Sequence, residues 1–184
     1  MRWICFLAVL LPAPVAALEI CDELWFTRNL VQHRAGYCFN SVLGQVIFNN
    51  DDCNPAGAAL SEADKVLIAK IRAFEVEEGC AIDASQTSLN VEMIEQRKTL
   101  VDLPFPSWGE SACIGWQGRR MSLRSERFVD GAVIGAARSG DMLLFQFEDV
   151  DGWSFVEVYQ NDIPVGMGWA QIALEDLACD SFAG

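Results

Sequence analysis

The run Asp102-Leu103-Pro104-Phe105-Pro106-Ser107 divides the chain. Its two prolines fix φ and remove two backbone donors, so neither a helix from one side nor a strand from the other passes through unbroken. Upstream, apolar residues recur at helical spacing; downstream, they alternate. The contrast predicts an α+β chain: a small helical domain over 18–101, a linker over 102–107 and a β domain over 108–184. The linker is expected to be the most accessible stretch between them.

Working outward to the amino-terminal side, Asp22 stands as a cap before a helix over 23–34, and Gly36 supplies a left-handed stop. A short helix is predicted over 42–48, ended by Asn49-Asn50-Asp51-Asp52. Ser61-Glu62-Ala63-Asp64 reads as a capping box. It opens a third helix in which Leu60, Ala63, Leu67, Ile71 and Phe74 share a face, with Gly79 closing it. A fourth helical piece is predicted over 90–100.

The beginning of the chain reads as an address. Met1 and Arg2 precede a largely apolar run over 3–15, and Val15-Ala16-Ala17 places small residues before a cut. This predicts a secretory signal peptide over 1–17, cleaved after Ala17. The alternative is a retained anchor. Pro12 and Pro14 interrupt the run, which falls short of the roughly 20 apolar residues that span a bilayer. Leu18-Glu19-Ile20 ahead of Cys21 puts an acid where lipid attachment requires a small residue. No membrane insertion is expected after cleavage, and the product is expected to be periplasmic or secreted.

Charge and cysteine usage agree with export. Asp and Glu number 26 against 13 Lys and Arg, a net charge of −13, which argues against nucleic acid and anionic lipid as partners. Of seven cysteines, Cys5 leaves with the signal; Cys21, Cys38, Cys53, Cys80, Cys113 and Cys179 remain. An even set in an oxidising compartment predicts disulfides. No two cysteines have Cys-x-x-Cys spacing, so neither a thioredoxin-like site nor a zinc ribbon is indicated.

Arg28-Asn29, then Arg34 and Gly36, then Tyr37-Cys38-Phe39, with Phe48 and Leu60-Ser61 beyond, resemble the YARHG domain, an extracellular bacterial module. The resemblance covers about 20 to 80. Gln32, His33 and Ala35 depart from its signature, and Cys53 sits near the place of a missing aromatic pair. It implies a compartment and a helical fold, not a reaction. Physically, Arg28, Asn29 and Arg34 can bond the exposed backbone carbonyls of nearby turns. The functional alternative is an anion site lined by Arg28 and Arg34, which makes both candidate ligand contacts. Tyr37 and Phe39 read as core.

In the second half, Met121-Ser122-Leu123-Arg124-Ser125, Val133-Ile134-Gly135, Gly140-Asp141, Gly152-Trp153 and Gly168-Trp169 follow in order. Together they resemble bacterial Src-homology-3-like domains over about 113 to 179. That resemblance implies a small β-barrel that binds cell-wall or peptide ligands. Residues 152–158 alternate like a half-buried strand. Trp153 and Trp169 read as barrel core; Trp108 and Trp116 are candidate ligand contacts.

Six cysteines allow fifteen connectivities. Cys38 and Cys53 flank the second helix, Cys21 opens the first helix where Cys80 closes the third, and Cys113 and Cys179 bracket the barrel. The expected bridges are therefore Cys38–Cys53, Cys21–Cys80 and Cys113–Cys179.

An enzyme would need reactive groups. His33 is the sole histidine, and no Gly-x-Ser-x-Gly elbow accompanies it. Glu148, Asp149 and Asp151 read as a solvated hairpin loop, Glu75, Glu77 and Glu78 as a polar helix end. The stretch Asp149-Val150-Asp151-Gly152 lacks calcium-loop spacing. No catalytic residue, metal site or cofactor is predicted. The expected function is a non-enzymatic binding module acting on an envelope polymer or protein. A small inhibitor or partner subunit is the alternative, and a carboxylate-based cell-wall hydrolase a distant third.

Overall fold

The computed structural model describes residues 19–172 and 177–184; the expected signal peptide over 1–17 lies outside them. Among the described residues, α1 (Ile20–Arg34), α2 (Val42–Phe48), α3 (Glu62–Glu77) and α4 (Ile94–Lys98) come first. Then follow β1 (Pro106–Trp116), β2 (Met121–Arg124), β3 (Val133–Ala137), β4 (Met142–Phe147), β5 (Ser154–Gln160), β6 (Ile163–Ala170) and β7 (Cys179–Ala183). The class is α+β, helices first and an antiparallel sheet after them. No helix among the described residues is long and apolar enough to cross a membrane.

Local chemistry accounts for the helices. Ser61 Oγ accepts the Asp64 N–H at 3.1 Å while Asp64 accepts the Ser61 N–H at 2.9 Å, so the capping box closes and α3 starts where its sequence says. Asp22, in contrast, is not the cap of α1. The helix begins at Ile20, and the Asp22 carboxylate accepts the Asn90 N–H at 2.7 Å. Gly36 has φ +86°, and its carbonyl accepts the Asn54 N–H at 2.7 Å, bringing the chain back on itself. The fourth helix is shorter than expected because Met93, at φ +50°, stands outside the helical region.

The six cysteines form three bridges: Cys21–Cys80, Cys38–Cys53 and Cys113–Cys179, with Cα separations of 5.3, 5.0 and 5.5 Å. Each falls within the reach of an unstrained bridge.

The sheet corrects the barrel. Its order is β3-β2-β6-β5-β4-β1-β7, an open sheet whose edges are β3 and β7. Closing it through β4, as a five-stranded barrel from β2 to β6 would, needs a free edge on that strand. Both edges of β4 are taken, one by β5 and the other by the long strand β1. That strand opens at Pro106, inside the expected linker.

The linker is also packed. Pro104 and Pro106 are buried. Leu103 touches both the helical cluster around Phe26 and Phe48 and the cluster of Phe147, Phe155 and Trp169 under the sheet. Phe105 joins Leu24, Ile71 and Phe74. The two halves therefore share apolar packing across residues 102–107, and this stretch is not the accessible link expected. Strand β5 is buried on both faces: Val156 and Val158 face one cluster, Phe155 another.

Candidate functional site

Where α1 and α3 lie against the sheet, a cleft of about 500 Å³ remains. Its wall from α3 carries Leu67 and Lys70; the chain crossing at 101–105 supplies Val101 and Phe105; the sheet side supplies Val150 and Trp169, with Arg127 from the loop after β2. Clefts between packed units with apolar walls and a few placed polar groups are the usual form of a binding site.

Three cations line it, each held. The Arg34 guanidinium donates to the carbonyl of Leu100 and to those of Lys98 at 3.2 Å and Val101 at 3.4 Å. It satisfies carbonyls that the end of α4 leaves open. Lys70 pairs with Glu148 at 2.7 Å, its ammonium 3.7 Å from the centre of the Phe105 ring. Arg127 pairs with Asp102 at 3.3 Å and lies 5.0 Å over Trp169. The Trp169 indole N–H donates to the Asp102 carbonyl at 2.8 Å.

Beside the cleft sits a buried charge cluster that joins the halves. Arg97 on α4, 2% exposed, lies 2.8 Å from Glu23 of α1 and 2.7 Å from Glu157 of β5. The contact to Glu23 is one of charge: Glu23 Oε2 makes no hydrogen bond with protein atoms. Arg97 Nε donates to the Glu92 carbonyl at 3.2 Å, and the Glu92 carboxylate accepts the Tyr159 hydroxyl. Gln96 completes the attachment of α4, donating to the carbonyls of Met167 at 2.9 Å and Ile134 at 3.3 Å.

One cation between two buried carboxylates leaves a surplus negative charge. Burial, only partly offset by Arg97, raises the Glu23 pKa to about 7, and burial raises Glu157 also. The Tyr159 hydroxyl is pushed above its ordinary range, by burial first and then by its bond to Glu92. The Glu23 proton thus stabilises the folded chain. Its contribution is complete below the unfolded carboxyl value near 4.5 and is lost as pH rises through about 7. Substituting Glu23→Gln is expected to remove about 3 kcal/mol of that pH dependence between those limits. The measurement is unfolding by urea at a series of pH values; parallel curves for the two proteins would refute it.

The structure separates the sequence candidates. Arg34 lines the cleft. Arg28 does not; it donates to both carboxylate oxygens of Glu75, at 3.0 and 3.1 Å, beside a different hollow. Trp116 is 7% exposed in the sheet core, its indole donating to the Arg119 carbonyl, and offers no face to a ligand. The Trp108 side chain lies outside the described part of the molecule. Trp153 and Trp169 are core, the latter with a ring face under Arg127 at the cleft. His33 packs on Phe48, ring centres 5.4 Å apart, and burial holds its pKa below the ordinary value.

Sequence reasoning missed Lys70, Phe105, Arg127 and Glu148 at the cleft, and Glu23, Arg97 and Glu157 beside it. One signal was present. Glu157 stands between Phe155 and Tyr159 on one face of β5, and a solvated face does not carry two aromatics.

The family described as Domain of unknown function (DUF4453) matches residues 79–184, and the YARHG domain matches residues 8–76. Their junction follows α3, well ahead of 102–107, so α4 and its Arg97 fall with the sheet. The match over residues 79–184 does not confirm a Src-homology-3-like family. No curated protein and no solved structure matches the chain.

Proposed function

The chain belongs to the family described as Domain of unknown function (DUF4453), and from that premise we propose an exported, disulfide-stabilised, non-enzymatic binding module of the bacterial cell envelope. Its ligand is a cell-wall polymer or a protein, engaged in the cleft between the helices and the sheet. Export is supported by the YARHG match, by three bridges of a kind that persists in oxidising compartments, and by the signal-like start. The observation that carries the binding reading is the cleft itself, where ring faces and charged groups meet at an open wall. A hydrolase reading gains no support from the carboxylates nearest one another through Arg97: Glu23 and Glu157 are 2% and 3% exposed, too enclosed for a polysaccharide.

The test uses Val101, which is 59% exposed and lines the cleft mouth. Purified protein is incubated with sacculi and, separately, with envelope extract. Capture is expected in one of the two, with a loss of at least about tenfold for Val101→Trp, which fills the mouth without touching the core. Capture that is unaffected by the substitution would place binding elsewhere.

A further inference from the structure

We infer that the cleft receives a basic peptide segment, whose lysine or arginine side chains take the seats now held by the chain's own Lys70 and Arg127. The inference rests on the cleft reading and names the ligand chemistry. Each seat pairs a ring face with a carboxylate: Phe105 with Glu148, and Trp169 with Asp102. A ring face and a carboxylate together are the chemistry that recognises an ammonium or guanidinium group. In the first seat, the side chains of Lys70 and Glu148 are 50% and 45% exposed. A pair that open exchanges one cation for another at little cost.

The surroundings favour the same sign. Leu67, Val101 and Val150 give apolar contact for neighbouring side chains, while Asp64 adds a third acid to the wall. The three acids balance Arg34, Lys70 and Arg127 as the cleft stands, and face Arg34 alone once Lys70 and Arg127 give up their seats. Beyond the cleft, the net charge of −13 draws cations in and repels phosphate or carboxylate polymers. Lys70 is then a competitor for its own site, and removing it helps the ligand. An anion-binding cleft predicts the reverse.

Calorimetric titration of the full chain decides the matter. The probes are a short peptide of lysine and arginine spaced among leucine and alanine, and its counterpart with glutamate at the charged places. The basic peptide is expected to bind and the acidic one not. Lys70→Ala is expected to tighten binding about two- to fivefold, and Glu148→Gln to weaken it at least about threefold. Asp51→Asn, which removes the same charge from an exposed residue that does not line the cleft, is expected to leave binding within about twofold. Circular dichroism confirms that each variant is folded. Preference for the acidic peptide, weaker binding by Lys70→Ala, equal losses in Glu148→Gln and Asp51→Asn, or binding of neither peptide would each overturn the inference. In the last case, Val101→Trp in the capture experiment still judges the cleft on its own.

Discussion

Arg97→Met is expected to lower the free energy of unfolding by about 3–5 kcal/mol, more than any other single change at the join between the halves. The size comes from what is left behind. Arg97 is 2% exposed and is the ion-pair partner of both Glu23 and Glu157, themselves enclosed. Without it, two carboxylates share a low-dielectric site with no cation, and each must take up a proton or draw in water. The guanidinium also packs 5.1 Å over the Phe147 ring, a contact that methionine only partly replaces. Adding Glu23→Gln and Glu157→Gln to Arg97→Met is expected to recover much of the loss, because the unpaired charges go with it. Urea denaturation gives both values. A cost below about 1 kcal/mol for Arg97→Met would mean that the cluster is solvated, and the pH dependence assigned to Glu23 would fall with it.

Replacing Cys113 and Cys179 by alanine is expected to cost about 4 kcal/mol, and replacing Cys38 and Cys53 about 3 kcal/mol. The difference follows from loop length. The first bridge closes a separation of 66 residues and the second one of 15, and a longer loop loses more freedom when it is tied in the unfolded chain. The larger loss also falls where β1 meets β7 at the edge of the sheet, with few other contacts to hold that strand: residues 180–183 are exposed. Denaturant midpoints of the two double variants, read against the native protein at equal slope, give the order. A greater loss from the shorter loop would show that native packing, not the unfolded chain, sets the value.

Those elements that local chemistry dictates were legible in the sequence. The capping box at Ser61 and Asp64 needs only four residues to declare itself, and the end of α2 coincides with its run of Asn and Asp. The strands were legible one by one, since alternation is a local property. Their closure was not, because it depends on which edge of β4 is free, and β1 takes that edge from within a stretch that two prolines mark as a break. The cleft was hidden for a related reason. Lys70 and Glu148 stand 78 positions apart, and each alone is an ordinary surface charge. Arg34 was found through its place in a known signature, yet its role there, bonding carbonyls of 98–101, belongs to a helix that the sequence placed only loosely. Glu157 was missed because alternation assigns a face and cannot say what covers it.

The positions of the bridges along the chain bear on its survival among proteases. A single nick between 21 and 80 leaves both pieces tied through Cys21–Cys80, and one between 113 and 179 leaves them tied through Cys113–Cys179. Residues 81–112 lie inside neither loop, so one cut there separates the helices from most of the sheet. That interval holds Leu100, Pro104 and Pro106, all buried, together with Arg97 in its ionic clasp. Residues 102–107 of that interval are largely enclosed, but seven of the ten residues 81–90 are exposed. That loop is where one cut parts the halves covalently, whereas a cut inside either bridged loop releases nothing.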